Sequence, residues 1–252
     1  MKPQEEGYSM PLGAPLYAEP PFGGGNRGGL VLMAYRADPD EVAWEVPEPL
    51  VPDGSGLMFA WASDLCQPPH TMNLYHECVV GIKIRYEDYE GWYIPYIFVD
   101  HDMALTFERE IYGWPAALCD STPLEMYGSQ IIGKCTRYGE QLMHLSMNVT
   151  SEPPERRTKD VESEFWTHLS GSWIQLRKLP NPAKDGKPIR QLLNTPPHDF
   201  EIDEIWSGDG TLELGKSGLF HHMHKLNPVE VLGTWFLRSR WVLHHPEVIW
   251  EG

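Results

Sequence analysis

A carboxylate in the middle of an apolar run is a candidate for chemistry, and Glu77, within Leu-Tyr-His-Glu-Cys-Val-Val, is one. Burial penalises the ionised form, so such a group keeps its proton to a higher pH than a free carboxylate and suits proton transfer. The competing reading is that it neutralises a buried arginine. Strand alternation turns His76 to the opposite face, so if Glu77 points inward His76 points out. Lys83 shares one face of Val-Val-Gly-Ile-Lys-Ile-Arg-Tyr with Gly81 and Arg85. It reaches a substrate if that face lines a lumen and is an ordinary solvated lysine if it does not; Lys134 sits similarly. His221, His222 and His224 form His-His-Met-His, which invites a metal reading because imidazole is the commonest ligand. No matching His-x-His or His-Glu-x-x-His accompanies it, so the run is expected to be structural, with no metal and no cofactor bound. Cys66, Cys78, Cys119 and Cys135 are spaced 12, 41 and 16 apart without a Cys-x-x-Cys pair, and read as free thiols.

These residues belong to a chain of 252 residues, long enough for one large domain spanning 1–252. With 36 acidic against 20 basic residues the formal charge is -16, a field that repels phosphate backbones and anionic lipid, so neither nucleic acid nor membrane is an expected partner. No apolar run approaches the roughly 20 residues of a membrane helix, and the first residues carry no apolar export signal, which points to the cytoplasm.

What must position Glu77 is a series of aromatic and β-branched runs. Residues 1–29 are rich in Gly and Pro and read as an N-terminal arm. Leu30–Tyr35 reads as a strand, and Asp38-Pro39-Asp40 starts a helix that Pro47-Glu48-Pro49 stops. Apolar runs between 57 and 149 are separated by turn signals at Glu90-Gly91 and Tyr138-Gly139-Glu140, the pattern of antiparallel hairpins. Polar, proline-containing stretches at 151–163 and 180–188 read as loops. Strand runs return at 164–178, 199–206 and 211–214, and Asn227-Pro228 opens what reads as a short helix before a last strand. About ten strands against two or three short helices give a mainly β (α+β) fold, a closed or nearly closed antiparallel barrel or cone.

The stretch Asp100–Leu118, DHDMALTFEREIYGWPAAL, reads as a capped helical turn ended by Gly113, with Trp114-Pro115 turning the chain back. It resembles the signature of the acetoacetate decarboxylase family: an aspartate, a short helix with Gly-Arg-Glu, then Gly-aromatic-Pro-Lys-Lys. Tyr35-Arg36-Ala37-Asp38, Val46-Pro47-Glu48-Pro49-Leu50, Tyr75-His76-Glu77 and Leu226-Asn227-Pro228-Val229-Glu230 match further family segments, the last a late helix, so the likeness covers most of 30–250. It implies the family's β-cone and homo-oligomeric assembly. In that family a lysine directly after the proline forms a Schiff base with the substrate ketone. Here the two lysine positions are Ala116 and Ala117, and alanine cannot form an imine. The resemblance leaves Glu77 as a pocket glutamate, Arg109 and Glu110 as the Arg-Glu pair, and Arg27 close to a pocket arginine. Arg109, whose planar fork grips two oxygens, becomes the expected carboxylate clamp. Trp61, Tyr96, Trp114 and Ala116 are expected to line the pocket, with Trp61 and Ala60 replacing a more polar strand face, as suits a large, flat or polycyclic substrate. The implied function is a lyase-type reaction on a keto or enone carboxylic acid (decarboxylation, dehydration or cyclisation) by non-covalent acid/base catalysis. The alternative is a non-catalytic member that binds a small molecule.

Overall fold

The computed structural model describes residues 7–67, 72–120, 122–151, 165 and 169–252; His70 and residues 152–163 lie outside the described residues. The chain forms β1 (Phe22–Arg36), helix α1 (Pro39–Glu45), β2 (Val51–Pro52), and then an antiparallel meander of β3 (Leu57–Gln67), β4 (Met72–Tyr86) and β5 (Tyr89–Val99). Helix α2 (Asp102–Phe107), a π turn (Glu108–Tyr112) and the short β6 (Ala116–Leu118) follow. Next come β7 (Leu124–Tyr127), β8 (Gln130–Arg137), β9 (Glu140–Ser151), β10 (Ser172–Leu179), β11 (Ile189–Asn194) and β12 (His198–Leu214). A 3-10 turn (Met223–Leu226), β13 (Glu230–Leu243) and β14 (Glu247–Glu251) complete it.

The strands join in one sheet, in the order β14, β11, β10, β5, β4, β3, β1, β13, β12, β9, β8, β7, with β2 paired to β4 and β6 to β5. The sheet is mainly antiparallel; β10 and β6 each run parallel to β5. It curls into a barrel until β8 passes over β3, where a Cβ on Gly133 would lie 2.1 Å from that of Ala62, so only glycine permits the approach.

Both faces of β1, β3 and β4 are therefore buried, and their strands read as continuous apolar runs. One layer joins Val31, Met33, Ala60, Ala62, Val80 and Ile82 to Leu142, Leu145 and Met147 of the curled end. The other joins Leu30, Leu32, Phe59, Val79 and Ile97 to Phe107, Tyr112, Phe165 and Trp173.

The local chemistry explains most boundaries. Asp38 caps α1, accepting from the Asp40 N–H with Pro39 in the first turn, and Tyr138-Gly139 turns β8 into β9 with both residues at positive φ. Four readings change. The strand expected over 164–178 begins only at Ser172, as β10, and the described residues Phe165 and Leu169 before it are helical. Residues 22–29 are not part of an arm but the start of β1: Phe22–Gly25 pair with β13, Gly29 pairs with Asp64 of β3, and at Gly29 (φ 116°) the ring of Phe236 fills the space a side chain would need. The β4–β5 turn is Glu87-Asp88 rather than Glu90-Gly91, with Glu87 at φ 50°. The segment after Asn227-Pro228 is strand β13, and the only helical turn there is the 3-10 turn before it. Among the described residues no helix is long and apolar enough to cross a membrane.

Candidate functional site

On β4 the odd positions Tyr75, Glu77 and Val79 face the second apolar layer, while Cys78, Val80 and Ile82 face the barrel core. Glu77 sits between Ser63 of β3 and Val99 of β5, and is only 4% exposed. Two residues along β3 from Ser63, Trp61 points to the same side, and its Nε1–H donates to Glu77 Oε1 at 3.1 Å. His76 faces out, as alternation requires, with Nδ1 2.5 Å from Asp100 and Nε2 3.6 Å from Asp64.

Glu77 opens on a cavity of about 90 Å3. Its walls are the rings of Trp61, Trp114, Trp173, Trp241 and Phe200, with aliphatic side chains that include Leu30, Leu32, Ile97 and Leu237. Tyr75, Thr195 and Ser239 supply hydroxyls, and Glu77 is the one charged lining side chain among the described residues. Ser239 and Trp241 also line a second, more polar groove beside Gly23–Asn26.

A second carboxyl stands behind the first. The helix that starts with His101 as cap widens into the π turn, where the Gly113 N–H reaches back to the Glu108 carbonyl and the Trp114 N–H donates to it at 3.0 Å. That turn sends Glu108 inward, fully buried, and leaves Arg109 and Glu110 exposed. The buried Glu108 carboxyl interacts with that of Glu77, and its own oxygens have no donor among the described residues. Two buried carboxyls that interact resist ionising together, so the arrangement favours a proton on one of them.

Burial raises the Glu77 carboxyl well above the usual range, with Trp61 and Glu108 holding it down in part. Burial raises Glu108 further, reinforced by the Glu77 charge. Tyr75 is pushed up by burial and then by the same two acids.

The expected site residues divide into two groups. Glu77, Trp61 and Trp114 come together at the cavity; Trp114 stacks on Tyr112 with centroids 4.9 Å apart. Ala116 is buried in the same apolar layer, paired with cavity-lining Ile97, without lining the hollow itself. Arg109 is not among the residues that line the cavity; its Nη1 donates to the Ala116 carbonyl at 3.1 Å. Glu110 is not in the cavity either, and accepts a hydrogen bond from the Tyr17 hydroxyl. Tyr96 lies on the opposite face, donating to Glu45. A bulge on β5 explains it: Val80 and Ile82 pair with Tyr96 and Tyr93, so the extra residue by Pro95 breaks the alternation that would have aligned Tyr96 with Trp92 and Ile94. Arg27 lies in β1, and its side chain is outside the described residues.

The residue that sequence reasoning missed is Glu108. The available signal was its position, directly before Arg109-Glu110 and in place of the glycine of the resembled Gly-Arg-Glu. Lys83 is buried with Nζ 3.6 Å from Glu90 and is not among the cavity residues; Lys134 pairs with Glu125 at 3.1 Å. Of the histidine run, His222 stacks on Trp44 with centroids 3.9 Å apart and meets Glu41 at 3.2 Å, so its ring is engaged in packing and pairing.

The acetoacetate decarboxylase family model matches residues 9–251. Acetoacetate decarboxylase from Clostridium beijerinckii is 26% identical over 245 residues, covering 96% of this chain and 93% of its own. Among solved structures, acetoacetate decarboxylase from Legionella pneumophila superposes with a TM-score of 0.80 at 23% identity, covering 98% of this chain and 95% of that one. An acetoacetate decarboxylase-like enzyme from Sphingomonas wittichii RW1 gives 0.82 at 18% identity, over 98% of this chain and all (100%) of that one. The enduracididine biosynthesis enzyme MppR, in complex with pyruvate, gives 0.74 at 19%, over 97% and 98% of the two chains.

Proposed function

We propose, from the premise that the chain belongs to the acetoacetate decarboxylase family, that this protein is a lyase-type enzyme working on a keto or enone carboxylic acid by acid/base catalysis without a Schiff base. The observation that carries the reading is Glu77, a buried carboxyl at the wall of an aromatic cavity in which it is the one charged lining side chain among the described residues. A base in such a place is desolvated and held by Trp61, so it can take a proton from the carbon next to a substrate carbonyl. The Tyr75, Thr195 and Ser239 hydroxyls are available to the carbonyl oxygen, where negative charge develops. Returning the proton to a departing hydroxyl completes a dehydration, and returning it elsewhere on the skeleton after ring closure completes a cyclisation. Decarboxylation asks in addition for a cation to seat the carboxylate. With Arg109 turned away, that role falls to Arg27, whose strand runs beside the cavity residues Leu30 and Leu32.

Exchange of α-protons into deuterated water, followed by NMR over a panel of keto acids and enones, tests this. Glu77→Gln is expected to lower the exchange rate by on the order of 10²–10⁴ while the circular dichroism stays native. Borohydride with pyruvate is expected to leave no reduced adduct on any lysine. Unchanged exchange in Glu77→Gln removes Glu77 from the mechanism, and an adduct removes the imine-free step.

A second reading, a binding protein without turnover, is favoured by the apolar character of the walls. It predicts saturable binding by tryptophan quenching and no exchange on any panel member.

A further inference from the structure

We propose that Glu108 is a positioning residue that holds the proton of a Glu77–Glu108 pair, donating its O–H to Glu77 and so presenting Glu77 to the cavity as a carboxylate. The catalytic meaning of this rests on the reading of Glu77 above; the proton arrangement itself does not.

The geometry carries the argument. Both carboxyls are buried, Glu108 completely, and they interact, so ionising both would place two like charges together out of water. The pair therefore favours holding one proton, and the two acids differ in what else they touch. Glu77 receives the Trp61 N–H, a donor that favours a negative charge, and borders the cavity. Glu108 lies behind it on the π turn, and its carboxyl oxygens have no described donor. The negative charge is better placed on Glu77 and the proton on Glu108. The titration tendencies run the same way, since Glu108 is raised more strongly than Glu77 by burial and by its neighbour's charge.

The surrounding titratable groups do not supply an alternative proton. Tyr75 on β4, which both acids act on, has its hydroxyl pushed up by burial and by their charge and so keeps its own proton, and Asp100, after β5, is held below its usual range, with its hydrogen bonds to His76 outweighing its own burial. The π turn is what makes the arrangement possible, because its wider winding brings Glu108 inward while leaving its two polar successors in solvent.

The pair has a consequence for proton transfer. When Glu77 accepts a proton from a bound molecule, no net charge is created in the apolar site; the bond to Glu108 persists between two neutral carboxyls. Such a base works in a desolvated cavity without a neighbouring cation.

The test is infrared titration of protonated-carboxyl absorption, without any substrate, in the wild type, Glu77→Gln, Glu108→Gln and Glu108→Ala. At pH 8 the wild type is expected to show one protonated carboxyl that is lost in Glu108→Gln. The Glu77 titration, identified by its disappearance in Glu77→Gln, is expected to stay in place in Glu108→Gln, where a neutral donor remains. In Glu108→Ala it should move up by about one pH unit or more, because the donor is gone. No loss of the band in Glu108→Gln overturns the proposal, as does an unmoved Glu77 titration in Glu108→Ala. If the alanine variant does not fold, the glutamine variant alone decides. Exchange activity reports separately on the proposed function, so failure of one is distinguishable from failure of the other.

Discussion

The two faces of the β3–β4 region are made from alternate residues of the same strands, yet they do opposite things. The face of Ala62, Cys78 and Val80 is closed by the curled end of the sheet, down to the contact in which Gly133 leaves room for Ala62. The face of Trp61, Glu77 and Val79 is covered less tightly, by α2, the π turn and the rings of Trp114 and Trp173, and there the hollow and both buried acids are found. One residue of register therefore separates a dense core from a hollow bordered by a buried acid. The dense face anchors strands whose other side carries one of two buried acids, and burying those acids costs stability because their ionised forms lose hydration.

The largest effect that separates the two faces is expected from inserting the same long cation on each. Ala62→Lys puts an ammonium into space already filled by β8, and the chain should fail to fold, since overpacking and an unpaired buried charge act together. Ala116→Lys extends toward the layer that contains the hollow and two carboxyls, so it should fold with a melting temperature lowered by only a few degrees. Thermal melts of both variants check this. Equal damage at both positions would mean that the cavity face is as tightly filled as the other.

The alternation of strands and the single acid in the run of β4 made Glu77 and the outward turn of His76 legible from sequence alone, and the helix ended by Gly113 was legible from its cap and its glycine. Glu108, Arg109 and Glu110 were not. A regular helix gives each residue a fixed azimuth, whereas a π turn adds a residue and rotates everything around it, and no residue type announces one. Strand β13 was misread as a helix start because Asn-Pro is a good opening for a helix. Pairing of Tyr35 with Val231 and of Leu32 with Trp235 outweighed that local preference. The glycine-rich segment was misread for the same reason: long-range packing of Phe236 over Gly29 decided it, and composition cannot show which ring lies above a glycine.

A middle-sized effect sharpens the comparison through pH. Both acids of the pair bind protons more tightly folded than unfolded, so the folded chain retains a proton that the unfolded chain releases above its ordinary carboxylate range, near 4.3. Stability from this source is fully present below that range and is lost as pH rises toward the folded titration. Glu108→Gln removes the share that Glu108 contributes and leaves that of Glu77. Its stability relative to the wild type should improve by about 1.4 kcal/mol per pH unit between pH 5 and 8, roughly 3–5 °C per unit in melting temperature. A difference that stays flat across that span would show that Glu108 is ionised in the folded chain. It would also make the cavity face electrostatically ordinary.

The smallest effect is expected at Tyr96, which tests whether the bulge at Pro95 truly assigns residues to faces. Had β5 alternated without interruption, Tyr96 would stand with Ile94 over the hollow, and removing its hydroxyl would alter whatever binds there. With the bulge in place its hydroxyl donates to Glu45 beside α1, and its ring meets Phe220 at a centroid distance of 6.0 Å. Tyr96→Phe should therefore leave cavity binding, read by tryptophan quenching with 2-acetylnaphthalene, within about twofold of the wild type. The measurable change should be about 1 kcal/mol in stability, the ordinary worth of one such hydrogen bond. Trp61→Phe, on the cavity face, provides the contrast: it keeps most of the ring surface and loses the N–H that holds Glu77, so both binding and the Glu77 titration should move. If Tyr96→Phe weakens the probe as much as Trp61→Phe does, the faces are not separated at β5, and the division of the strands into a packing side and a chemical side fails there first.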